Sequence, residues 1–142
     1  MKVGVIGAGH WGKNLVRNFA ELGVLAGVAD PVDENCSHAS QQAPGIDIFD
    51  NDTELLAAGY DAVAIATPAA THFGIARRAL EAGMDILVEK PVTLDSAEAL
   101  ALHQLAERSD RILMVGHLLL YQPAVNFMGY FLRAGKLGQV YT

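Results

Sequence analysis

The 142-residue chain carries a formal charge of −6 and no cluster of lysines or arginines, which argues against a nucleic acid or an anionic membrane surface as partner. It is 51% hydrophobic with 14 glycines, a make-up that suits one domain with a real core and many tight strand–helix turns. Cys36 is the single cysteine, so no internal disulfide forms, and a first strand starting at residue 2 leaves no room for a signal peptide: the expectation is a cytoplasmic protein. The most apolar stretch, 112–121, is broken by Gly116 and His117 and is too short to span a bilayer.

A short apolar strand at 3–6 runs into Gly7-x-Gly9-x-x-Gly12 and a helix over 10–22. Gly7 permits the tight exit from the strand, and Gly9 lets a pyrophosphate approach the backbone. Gly12 lets the helix pack on the strand, and the helix N-terminus presents unpaired N–H groups. Alone, the pattern is only a turn. With a strand before it, a helix after it and an acidic residue about 20 positions on, it becomes a dinucleotide fingerprint. That acidic residue is Asp30, which closes a second strand at 24–29. A carboxylate there accepts hydrogen bonds from both hydroxyls of an adenosine ribose and repels a 2′-phosphate. No arginine or lysine follows nearby, which favours NAD over NADP. Aspartate before proline is also an ordinary turn residue. Trp11, Leu15, Val16, Phe19 and Leu22 share one helical face, so Trp11 is expected in the core although it and His10 sit at the phosphate turn. Gly23 closes the helix.

A polar helix at 33–42, a third strand at 46–49 and a small helix through 58, N-capped by Asp52, come next. Residues 61–66 read as a continuous apolar strand, buried on both faces of a parallel sheet. It ends at Thr67-Pro68, and a helix restarts from about Thr71 as N-cap. Such a turn brings backbone and hydroxyl groups to the carboxyl edge where α/β ligands bind; a plain capping turn, with His72 an ordinary helix-start histidine, fits the spacing equally well. The helix runs to 81 and the fifth strand, 84–88, closes in Glu89-Lys90-Pro91. From spacing alone Lys90 is a solvated lysine before a turn. Asp95-x-x-Glu98 makes a capping box for a helix over 96–108. A sixth strand at 112–115 leads to Gly116-His117. A final amphipathic segment, 123–134, is expected to turn Val125, Met128, Phe131 and Leu132 inward, and 140–142 resemble the opening of another strand. Alternation of strand and helix with short connections predicts an α/β protein with a doubly wound parallel sheet, the Rossmann fold. The five histidines show no metal-ligand spacing, and neither Gly-x-Ser-x-Gly nor a P-loop lysine occurs.

Several stretches together resemble the Gfo/Idh/MocA family of NAD(P)-dependent oxidoreductases. They are Gly7-Ala8-Gly9-His10-Trp11-Gly12, Thr67-Pro68 with His72 four residues on, Glu89-Lys90-Pro91, Gly116-His117 with Tyr121-Gln122-Pro123-Ala124, and Gly135-Lys136-Leu137-Gly138. The resemblance implies a nucleotide-binding domain over 1–120. Residues 121–142 are then a helix and the start of a C-terminal α+β substrate domain, which this chain lacks. It implies that Lys90 reaches the nicotinamide and a substrate hydroxyl, which it polarises or deprotonates. Glu89 orients Lys90 or caps the strand, and Thr67, Pro68 and His72 lie along the cofactor with the phosphate turn. The implied substrate is a small-molecule sugar or sugar nucleotide, and the implied assembly a homo-oligomer. Leu120 stands where many relatives carry arginine. Two rival expectations are a non-catalytic dinucleotide-binding module and a relative that reduces imines or acts on amino-acid aldehydes. Without a positioned substrate, the 142 residues alone are expected to bind cofactor but not to turn over.

Overall fold

Strand and helix alternate from β1 (Val3–Ile6) through α1 (Gly12–Glu21), β2 (Leu25–Ala29), α2 (Asp33–Gln42), β3 (Asp47–Phe49) and α3 (Asp52–Ala57). They continue through β4 (Ala62–Ile65), α4 (Ala69–Glu81), β5 (Asp85–Val88), α5 (Ser96–Ser109) and β6 (Leu113–Val115). A 3-10 turn, Leu118–Tyr121, and α6 (Pro123–Arg133) follow. The computed structural model describes residues 1–136, 138 and 139, so the expected strand at 140–142 lies outside the described residues. Among the described residues all strand pairs are parallel, in the order β3-β2-β1-β4-β5-β6. The winding reverses between β1 and β4, and the carboxyl ends of those strands frame the crevice where doubly wound folds bind ligands.

The period-2 alternation of the strands divides the core in two. Val5, Val28 and Ala64 face α1 and α2, where they meet Val16 and Ala39. Ile6, Val63, Ile65 and Val88 point the other way, against Leu55 of α3, Ile75 and Leu80 of α4 and Leu102 of α5. Each such fully buried aliphatic contributes about 1.5–3 kcal/mol by transfer from water. Tyr60 closes the far end of this second layer. Its ring lies where a Cβ on Gly27 would stand, and its hydroxyl donates to Asp47 Oδ2 at 2.8 Å. Among the described residues no helix is long and apolar enough to cross a membrane.

Several local expectations shift. α3 is capped by Asn51, whose Oδ1 accepts from the Glu54 N–H at 3.0 Å, and this leaves Asp52 to pair with Arg78 of α4. α4 begins at Ala69 with Pro68 at its N-cap, because proline's fixed φ of −59° already suits that position. Thr71 falls inside the first turn, where its hydroxyl donates to the Pro68 carbonyl (2.8 Å) and accepts from Thr67 (2.7 Å). α5 keeps the aspartate half of its capping box, with Asp95 Oδ1 accepting from Ala97 N–H at 2.7 Å. α6 forms as its periodicity requires but does not bury its apolar face: Val125, Met128 and Leu132 are exposed, and the helix packs on the 3-10 turn.

Candidate functional site

The phosphate turn separates its three glycines by cause. Gly7 has φ +87°, and a Cβ there would stand 2.9 Å from the Ala66 backbone. A Cβ on Gly12 would overlap the Gly7 carbonyl. Both are demanded by the bend itself. Gly9 is different: a Cβ there would meet only Asn35 Nδ2, at an ordinary 3.8 Å. Nothing inside the chain requires glycine at this position. The N–H groups of Gly9, His10, Trp11 and Gly12 find no intramolecular partner among the described residues. These are the orphan donors of a helix start, at the positive end of the α1 dipole, and they suit an anion.

Asp30 is buried at the end of β2 and fastens two turns together. Its Oδ2 accepts from Ala8 N–H at 2.7 Å, and its Oδ1 accepts from Val32 N–H (2.9 Å) and Asn35 Nδ2 (3.0 Å). A carboxylate offers about four acceptor positions. Both on Oδ1 are taken, which leaves one on Oδ2 without a partner among the described residues. Burial pushes the neighbouring Cys36 thiol up, and its Sγ lies 3.2 Å from the Asp30 carbonyl, the setting of an inert cysteine.

Two cavities meet over Ala66 and Thr67 at the end of β4. One, of about 430 Å³, is bounded by Gly7, Gly9, Asp30, Asn35, Asp50 and Pro68. The other, of about 1160 Å³, is lined by His10, Trp11, Thr67, Glu89, Lys90, His117 and the leucines at 118–120. Together they make one trough along the carboxyl edge. Lys90 stands in the larger part, exposed, with no partner for its ammonium among the described residues.

Trp11 departs most from expectation. It is 42% exposed at the wall of the larger cavity, not in the core. Its indole N–H donates to Glu89 Oε1 at 2.5 Å. Glu89, only 9% exposed, turns its other oxygen toward the Lys90 N–H at 3.3 Å. Gly116 makes the space, since a Cβ there would press to 3.1 Å from the carboxylate. His72 is 1% exposed beneath the same cavity, with Nδ1 2.8 Å from the Pro91 carbonyl and Nε2 2.8 Å from the Thr67 carbonyl. Its polar atoms are thus committed to backbone, tying the turn after β4 to the turn after β5. Sequence reasoning passed over Asn35, Asp50 and the Trp11–Glu89 bond. For Asn35, the polar start of a helix three residues past Asp30-Pro31-Val32 was the available signal.

The sequence profile described as "Oxidoreductase family, NAD-binding Rossmann fold" (GFO_IDH_MocA) matches residues 1–117. The UDP-N-acetylglucosamine 3-dehydrogenase of Acidithiobacillus ferrooxidans is 40% identical over 136 residues, 90% of this chain and 40% of that protein. Its crystal structure superposes with a TM-score of 0.83 over 92% of this chain and 42% of that one. The inositol 2-dehydrogenase of Corynebacterium glutamicum is 31% identical over 145 residues, 99% of this chain and 43% of that protein. The WlbA dehydrogenase of Bordetella pertussis, solved with NADH and UDP-GlcNAcA, shares the fold at a TM-score of 0.89 and 23% identity, over 99% of this chain and 43% of that one. The chain therefore spans about two fifths of the length of the relatives it matches. A dinucleotide turn, a reversal of winding beside it and a match over residues 1–117 place this chain in the GFO/IDH/MocA oxidoreductase family, as its NAD-binding Rossmann domain.

Proposed function

We propose that this chain is the NAD-binding part of a dehydrogenase that acts on a hydroxyl of a sugar or sugar nucleotide. The observation that carries the reading is the contrast among the three glycines of the turn: of these only Gly9 is not required by the fold, and it belongs to a run of four N–H groups with no partner among the described residues. A pyrophosphate on that turn would set the adenosine half toward Asp30 and the nicotinamide half toward Lys90. Asp30, Asp50 and Asp52 edge the smaller cavity with no lysine or arginine among its lining residues, which supports NAD over NADP.

NAD supplies a hydride acceptor when bound. The chain's own residues do the rest. The amides at Gly9–Gly12 hold the pyrophosphate, and Asp30 Oδ2 accepts from one ribose hydroxyl. Thr67 and Pro68 form the floor between the cavities, with His10 and Trp11 along one wall. The Lys90 side chain hydrogen-bonds the substrate hydroxyl and, after releasing its own proton to solvent, takes up the hydroxyl's proton, while Glu89 and His72 hold the lysine's backbone. Support for a sugar-type substrate comes from relatives named for UDP-N-acetylglucosamine and inositol. Residues 1–120 form the cofactor domain in this reading, and 121–142 open a second domain that completes the substrate pocket and a homo-oligomer. The 142 residues bind cofactor without turnover.

A fluorescence titration with NADH and NADPH tests this. NADH is expected to bind at least about tenfold tighter, the size of one unfavourable charge contact. Equal affinities, or NADPH ahead, contradict the assignment. In a full-length version, Lys90→Ala should leave NAD affinity nearly unchanged and abolish turnover.

A further inference from the structure

Trp11 and Glu89 lie 78 positions apart, one at the N-cap of α1 and the other just after β5, a strand that β4 separates from β1. The bond therefore ties the turn that enters α1 to the turn that leaves β5. Both side chains line the cavity that Ala66 and Thr67, at the end of β4, also line. The contact is a charge-assisted bond of 2.5 Å to a carboxylate that is nine-tenths buried. The room for it is built in, because Gly116 at the end of β6 leaves the carboxylate its place. The same carboxylate faces the Lys90 N–H.

We propose that Trp11 and Glu89 are positioning residues: a bridge that holds the phosphate turn and the Lys90 backbone in one frame. The inference rests on the reading that the turn binds cofactor and that Lys90 serves the chemistry. An exposed tryptophan tied to a buried carboxylate does little for the core. Its ring walls the cavity that holds Lys90, and its backbone N–H is one of the four free donors of the turn. The indole and the Lys90 N–H thus meet on the two oxygens of one carboxylate, which couples the turn to the lysine's backbone.

The test uses amide hydrogen exchange by NMR on the 142-residue chain without cofactor, comparing wild type, W11F, E89A and E89Q. W11F keeps an aromatic ring but has no N–H to donate. Exchange at the Lys90 amide is expected to rise about tenfold in W11F and E89A, the equivalent of one net hydrogen bond. The buried β4 amide of Val63 should stay unchanged. E89Q keeps an acceptor oxygen and should restore most of the protection. Unchanged exchange at Lys90 in W11F overturns the bridge, and Trp11 is exposed enough for that variant to fold if E89A does not. NADH titration of W11F, E89A and the double variant judges the rest. Non-additive losses support the bridge, and additive or absent losses contradict it. If the wild-type chain binds no NADH, the cofactor reading fails, while exchange at Lys90 still decides the bridge.

Discussion

At the scale of single residues, Asp30 fastens two turns with one carboxylate. Its bond to the Ala8 N–H sets the phosphate turn, and its bonds to Val32 and Asn35 set the start of α2. Asp30→Ala should therefore cost about 1–3 kcal/mol of stability, because the buried Ala8 donor loses its partner. Chemical denaturation measures this, and a stability equal to wild type would show that water replaces the carboxylate. The aspartate's place at the end of β2 was legible, because spacing from a glycine turn fixes it. Its internal bonds were not, since they depend on how two turns approach each other in space. Trp11 shows the same limit. Helical periodicity puts it on the apolar face, but α1 begins only at Gly12, so Trp11 sits at the N-cap and outside the helix whose pattern it matched.

At the scale of elements, periodicity and punctuation locate the six strands of the described residues and the helices between them, because each apolar run is bounded by glycine, proline or a capping residue. What they misplaced were starts. Asn51 takes the cap from Asp52, and Pro68 starts α4 before Thr71, since a cap is chosen by backbone geometry and not by residue type alone. Tyr60 joins β2, β3 and the chain before β4 in a way no local pattern discloses. Burial and the hydrogen bond to Asp47 push its phenol above its ordinary value of 10.0. The neutral form is then favoured in the folded chain, so its stabilising effect is complete below about pH 10 and is lost as pH rises beyond it. Thermal melts across pH 9–11.5 should show falling stability for wild type and a flatter profile for Tyr60→Phe. Parallel profiles would remove Tyr60 from the account.

At the scale of the whole molecule, the doubly wound sheet gathers every candidate residue at one carboxyl edge. Glycine turn, Asp30, Thr67-Pro68 and Glu89-Lys90 each end a strand, and a parallel sheet brings successive strand ends together. That convergence was readable from the βα alternation; the trough joining them needed the strand order. The other whole-molecule feature is the apolar surface of Leu118–Tyr121 and α6, where Leu119, Leu120, Tyr121, Phe127 and Met128 are all more than half exposed. A patch of this kind associates in water. Light scattering of the 142-residue chain at micromolar concentration should show self-association, and a clean monomer would contradict it.

The central claim is that the phosphate turn binds the pyrophosphate of NAD, and Gly9→Ala tests it most directly. The fold has space for the added methyl, so stability should stay within about 0.5 kcal/mol of wild type. The incoming phosphates do not have that space, so NADH affinity should fall about tenfold or more. Gly12→Ala, by contrast, should fail to fold. A Gly9→Ala chain that folds normally and binds NADH as wild type does would contradict the account, because the one glycine of the turn that the fold does not need would then have no ligand to explain it.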